Sequence, residues 1–136
     1  MGRYWKLNHT ADLAIRVEAE SLEDLFITYA RAMFDTMVGG RLEERITQTL
    51  ELEANDEGEL LLDWLKELLF LFERDGFIPI KYELNIMDNR LKARIVGDQF
   101  DPHRHTAHLE IKVPTYHRFS IKEDSGRWEG RIIFDV

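Results

Sequence analysis

At 136 residues the chain is long enough for one domain with a real core and too short for two, so residues 1–136 are expected to form a single unit. A hydrophobic fraction of 44% beside 32% charged residues is that of a soluble globular protein and excludes a fibrous or disordered one. Eighteen Lys plus Arg against 26 Asp plus Glu leave a net charge of −8, which opposes direct nucleic-acid binding and suits a basic protein partner.

The opening MGRYWKLNHT lacks the pattern of a signal peptide, and Gly2 is not followed by the Ser or Thr that myristoylation needs. LAIRVEA (13–19) alternates as a strand, with Leu13, Ile15 and Val17 on one face. SLEDLFITYARAMFDTMVGG (21–40) reads as a helix. Ser21 and Asp24 have capping-box spacing, Leu22, Leu25, Phe26, Tyr29 and Met33 make the apolar stripe, and Gly39–Gly40 are expected to end it. RITQTLELEAN (45–55) alternates again, with Ile46, Leu50 and Leu52 on one side. Residues 57–75 make a second helix, apolar over most of its circumference and therefore expected to be enclosed. Its run ELLLDWLKELLFLF (59–72) is too short and too charged to span a membrane, and no membrane partner is expected.

IPIKYELNIMDNRLKARIVG (78–97) carries a hairpin signal, because Asp88–Asn89 tolerate the positive φ of a tight turn between two alternating runs. HLEIKV (108–113) reads as a strand with Leu109, Ile111 and Val113 inward and His108, Glu110 and Lys112 on the other face. Pro114 interrupts or edges that strand. WEGRIIFDV (128–136) supplies the last strand, with Trp128, Ile132 and Phe134 on one side. The sum is an α+β fold: a mostly antiparallel sheet with two main helices. With no cysteine in the chain, neither a disulfide nor a thiolate nucleophile is available, and the expected compartment is the cytoplasm.

Four of the five histidines fall in DPHRHTAHLEIKVPTYH (101–117). Asp101, His103 and His105 have a spacing that would serve a transition metal, but a connecting turn after Asp101–Pro102 is the commoner use of such a run. His117 would serve as a general base with Thr115 two residues away, although such a pair needs a third, orienting group. Lys112 either pairs with Glu110 at the surface or meets a phosphate or partner carboxylate. Asp63 and Glu67 form an i, i+4 carboxylate pair on the polar stripe of the second helix, by default a solvated face. Asp12, preceded by His9 and Thr10, and Asp135, next to Val136, are oxygen donors suited to calcium, magnesium or manganese if the strands bearing them are neighbours. The alternatives are a turn aspartate and a frayed tail. No glycine-rich phosphate loop, GxSxG, HExxH or EF-hand pattern occurs.

HTADLAI (9–15), AMFDTMV (32–38), LLLDWLKELLFLFE (60–73), RHTAHLEIKVPTYH (104–117) and IIFDV (132–136) together resemble the archease family, in its order and at about its length. Pro114 and Leu13 depart from the family pattern. The resemblance implies a compact α+β domain, archease fold, that is no enzyme. It would be a protein cofactor activating an RtcB-type tRNA-splicing RNA ligase, promoting its guanylylation and multiple turnover. It implies a divalent-cation site, calcium first with magnesium or manganese as alternatives, at Asp12, Asp135 and an oxygen of Val136. His9, Lys112, His117, Asp63 and Glu67 would form the functional surface around it. Two alternatives remain: a chaperone or modulator of RNA-modifying enzymes such as a tRNA methyltransferase, and a stand-alone metal-dependent hydrolase.

Overall fold

A computed structural model describes residues 1–7 and 12–136. In chain order these form β1 (Arg3–Leu7), β2 (Asp12–Ala19), α1 (Leu22–Met37), β3 (Val38–Gly40), β4 (Ile46–Glu53) and α2 (Glu57–Asp75). Then come β5 (Phe77–Met87), β6 (Arg90–Gln99), β7 (His105–Ala107), β8 (Val113–Asp124) and β9 (Arg127–Asp135). The α+β class with mostly antiparallel sheet and two main helices is therefore the one adopted. The strands make a four-stranded sheet ordered β1-β2-β9-β8, a three-stranded sheet ordered β4-β6-β5, and a small β3-β7 pair.

Both helices touch both larger sheets, α1 through β2 and β5, α2 through β8, β5, β4 and β6. This enclosure answers the composition of α2, where Leu60, Leu61, Leu62, Trp64, Leu65 and Leu68 are fully buried. Each such side chain stabilises the fold by about 1.5–3 kcal/mol. The buried polar atoms are mostly partnered: Trp64 Nε1 donates to the Phe26 carbonyl at 3.0 Å, joining the helices. The Tyr29 hydroxyl donates to the Ile15 carbonyl at 3.1 Å, joining α1 to β2.

The helix ends follow local chemistry. The Ser21 hydroxyl accepts the Asp24 N–H at 3.0 Å, as the capping spacing predicts. The reciprocal half differs, because the Asp24 carboxylate accepts from the Glu20 and Gly2 N–H groups, each at 3.0 Å, and so ties down β1. Asp56 caps α2 through the Glu59 N–H at 2.8 Å, and Gly76 closes it in the left-handed region at φ 71°. The expected helix end at Gly39–Gly40 is corrected: α1 stops at Met37, and Val38–Gly40 pair with His105–Ala107. Tertiary pairing there outweighs the glycine stop signal.

The hairpin stands as predicted, with Asp88 and Asn89 at φ 52° and 59° between β5 and β6. The strand expected over 108–113 is also corrected. Residues 108–112 are irregular, β8 begins at Val113, and Leu109 is 38% exposed, although Ile111 is buried. Pro114 lies within β8, an edge strand that tolerates its missing N–H. No described helix is long and apolar enough to cross a membrane.

Candidate functional site

The two central strands of the four-stranded sheet bring the start of β2 and the end of β9 together. Asp12, the first residue of β2, stands directly opposite Asp135, the last of β9. Val113 at the start of β8 opposes Asp135 from the other side, and the Lys112 N–H donates to the Asp135 carbonyl at 2.8 Å. Both aspartates are exposed. Directly opposed residues of antiparallel strands hold their Cβ atoms about 4.5–5.5 Å apart, and like charges there repel. Among the described residues no side chain pairs with or donates to either carboxylate. Val136, next in line, is half-buried and packs on the core, which anchors the tip.

Among the described residues the donor side chains at this tip are the two carboxylates, oxygen ligands that suit a hard divalent cation. Among the described residues no group of three or more His, Cys, Asp or Glu side chains is placed to hold a metal ion. Two carboxylates would therefore need completing by a Val136 oxygen and by water. His9 lies outside the described residues.

The other expected surface residues distribute differently. The Lys112 side chain is exposed and its backbone belongs to the tip. His117 is exposed in a bulge, because the β8–β9 register breaks between Thr115 and Ser120 and Arg118 takes φ 53°. The proposed hydroxyl–imidazole pair is not formed: the Thr115 hydroxyl donates to the Ile133 carbonyl at 2.8 Å and meets the His117 backbone N–H at 3.3 Å.

Asp63 and Glu67 are half-buried rather than fully solvated. The same bulge approaches α2, with Tyr116 packed edge-on against Phe119 at 5.7 Å and Phe119 against Gly58. Burial pushes the Tyr116 hydroxyl pKa up, and the charges of Glu59, Asp63 and Asp56 add to it. Asp63 thus flanks the bulge that holds His117, while Glu67 lies further along α2 toward Arg74.

The HRH run has a structural explanation that pattern alone did not supply. Asp98 is fully buried at the end of β6. Its carboxylate accepts from the N–H groups of Glu43 at 2.8 Å and Gln99 at 2.7 Å, and from the Arg104 guanidinium at 3.0 and 3.2 Å. Burial by itself would raise this carboxyl's pKa, but those hydrogen bonds and the Arg104 charge outweigh it and hold it far below the usual carboxylate range. His105 Nδ1 accepts the Asp101 N–H at 2.9 Å, which leaves the proton on Nε2. Nε2 then serves the Arg41 carbonyl at 3.0 Å and Asp98 at 3.2 Å. The connecting turn expected here is present over 102–104 with His103 exposed, whereas His105 is not solvated but buried, and both its ring nitrogens are engaged within the protein rather than on a metal. A run of two histidines and an arginine after Asp-Pro gave no sequence signal for a partner at Asp98.

The two helices between antiparallel sheets, with a carboxylate tip built from the first and last parts of the chain, define a small α+β class of protein. The pattern of the Archease protein family (MTH1598/TM1083) matches residues 4–136, and the chain belongs to this family. The archease of Methanopyrus kandleri is 36% identical, covering 96% of this chain and 97% of that protein. The Pyrococcus abyssi archease is 33% identical over the whole of both chains. The solution structure of Methanobacterium thermoautotrophicum protein 1598 superposes with a TM-score of 0.84 at 28% identity, covering 98% of each chain. A Thermotoga maritima crystal structure, described as an archease and possible chaperone, shares the fold with a TM-score of 0.71 at 19% identity, over 96% of this chain and 94% of that one.

Proposed function

We propose that this protein activates an RtcB-type RNA ligase through its Asp12–Asp135 tip, acting as a protein cofactor without turnover of its own. The observation that carries the reading is the juxtaposition, on directly opposed residues, of two exposed carboxylates with no side-chain partner among the described residues. Like charges so placed repel without a cation, and an oxygen of Val136 beside them, together with water, would complete a donor set for calcium, with magnesium or manganese as alternatives.

In ligase guanylylation the enzyme's histidine forms a bond to the α-phosphorus of GTP as pyrophosphate leaves. A divalent cation at the tip would neutralise and orient phosphate charge. The chain's own residues hold that charge in place and keep the tip exposed on a rigid sheet end, with Lys112 beside it. An acidic molecule of net charge −8 is also steered toward a basic site that handles RNA and GTP.

The test is guanylylation of a matched ligase with GTP and manganese, using wild type and Asp135→Ala. Stimulation by wild type that the variant lacks is the expected result; an active ligase indifferent to both proteins would sink the reading. The second reading is a chaperone or modulator of RNA-modifying enzymes such as a tRNA methyltransferase; the Thermotoga maritima protein is described as a possible chaperone, which supports its chaperone half. It predicts suppression of enzyme aggregation that Asp135→Ala retains.

A further inference from the structure

A groove of about 590 Å³ opens on the side of the molecule next to the tip, between the end of α1, the second half of α2, and Ala107 with the irregular segment 108–112 that follows it. Met37, Leu69, Phe72 and Ile111 make its apolar wall, and Leu109 stands at its edge, 38% exposed. Its size is within the roughly 300–1,000 Å³ typical of recognition pockets.

Two further features say what fits there. The chain around the groove is pinned at both ends, by the His108 N–H on the Met37 carbonyl at 2.9 Å and the Lys112 N–H on the Asp135 carbonyl at 2.8 Å. Between them Leu109, Glu110 and Ile111 form no backbone hydrogen bond to any described residue and belong to neither flanking strand. Unpaired main-chain groups at the exposed Leu109 and Glu110, beside an apolar pocket, are of the kind an extended peptide uses when it adds alongside a chain. The rim bears the carboxylates of Glu73 and Glu110, both exposed and both without an ion-pair partner among the described residues, against one cation, the exposed Lys112, and the imidazole of His108, so that its formal charge with neutral histidine is negative.

We infer that this groove docks an extended segment of a basic partner protein, in which apolar side chains enter the groove while alternating Lys or Arg side chains meet Glu73 and Glu110. The inference rests on the activator reading for the identity of that partner. It assigns the groove to docking and leaves the carboxylate tip to the chemistry.

The test is a 15N-resolved NMR titration of the full chain with the peptide acetyl-Lys-Leu-Lys-Val-Lys-Leu-Lys-amide and with its counterpart in which Glu replaces each Lys. The basic peptide is expected to shift and protect the Leu109, Glu110 and Ile111 amides, and the acidic one to leave them unchanged. Leu109→Ser and Glu110→Lys should each weaken binding about tenfold, whereas Met87→Ser, on the distant β5–β6 hairpin, should not. Shifts scattered over the acidic surface, or insensitive to Leu109→Ser, overturn the inference. So does occupation of the groove by a second copy of the chain, seen as a dimer in sedimentation that Leu109→Ser dissociates. With a matched ligase, Leu109→Ser should raise the half-maximal stimulating concentration about tenfold. If wild type binds the basic peptide in the groove yet stimulates no ligase, the activator reading falls and the docking groove stands. If it stimulates and Leu109→Ser changes neither measurement, the groove falls and the tip stands.

Discussion

Asp98 is the residue whose charge the fold depends on most. It is fully buried, and four donor groups converge on it from Glu43, Gln99 and Arg104. Removing one member of a buried charged network leaves the others without compensation, at a cost of about 3–5 kcal/mol when both are buried. The Arg104 side chain keeps 26% exposure, so Asp98→Asn is expected to cost the lower part, about 2–3 kcal/mol, in a urea titration. The pH dependence follows from its depressed folded pKa. Above the unfolded value of about 3.9 both states are ionised and the contribution is whole. As the pH falls below that value the unfolded chain takes up the proton first, so the contribution declines until the folded pKa is passed. The gap between wild type and Asp98→Asn should therefore be constant above about pH 5 and narrow below about pH 4. Tyr82 gives the opposite case, since its hydroxyl is buried with no hydrogen-bond partner among the described residues. Tyr82→Phe is expected to leave the urea midpoint unchanged or raise it, by up to about 1 kcal/mol, because an unsatisfied buried polar group is removed.

At the scale of elements, caps and turns act locally while strand pairing does not. Gly76 and Gly97 separate the two effects. Gly76 occupies a left-handed cap where an added Cβ would lie 3.3 Å from the Phe100 Cβ and backbone N, a fit tight by only a few tenths of an ångström, so Gly76→Ala should cost about 1–2 kcal/mol. Gly97 sits in the middle strand of the three-stranded sheet, where an added Cβ would strike the Ile78 carbonyl and the Phe77 ring. Gly97→Ala should therefore lower the thermal midpoint several degrees more than Gly76→Ala, since backbone must move. The same division explains which elements could be read in advance. Asp56 and Gly76 bracket α2, and Asp88–Asn89 make the hairpin turn, by chemistry within a few residues. Residues 108–112 alternate in hydrophobicity as a strand would, yet β9 ends at Asp135 and offers no ladder beyond it. The Val38–Gly40 strand exists because β7 lies alongside, which no glycine pair announces.

For the whole molecule, the decisive event is the closing of the four-stranded sheet by β2 and β9. It places Asp12 and Asp135 opposite each other and charges one end of an already acidic protein. A cation bound there stabilises the folded state by mass action, by about 2.7 kcal/mol at a hundredfold excess over the dissociation constant. Calcium is therefore expected to raise the melting temperature of wild type and to leave that of Asp135→Ala unmoved. Without calcium, that variant should melt no lower than wild type, because one of two repelling charges has gone. A calcium-independent melting temperature in wild type would refute the cation site.

Alternation of apolar residues, capping side chains and positive-φ turn residues act over a few positions. Those signals sufficed for the α+β class, for both helices and for the hairpin. The archease pattern marked Asp12, Asp135 and Lys112 as belonging together, and alternation alone left their meeting conditional on the order of the strands. That order is a property of long-range pairing, and it brings Asp12 and Asp135 to one tip. Long-range packing likewise turned His105 inward onto Asp98, left Leu109 at the edge of a groove, and set Asp63 against the Tyr116 bulge. The Met37 and Leu69 walls beside Leu109, the Tyr116 bulge beside Asp63 and the Arg41 carbonyl that receives His105 Nε2 all lie far along the chain, and no local rule of sequence carries their positions.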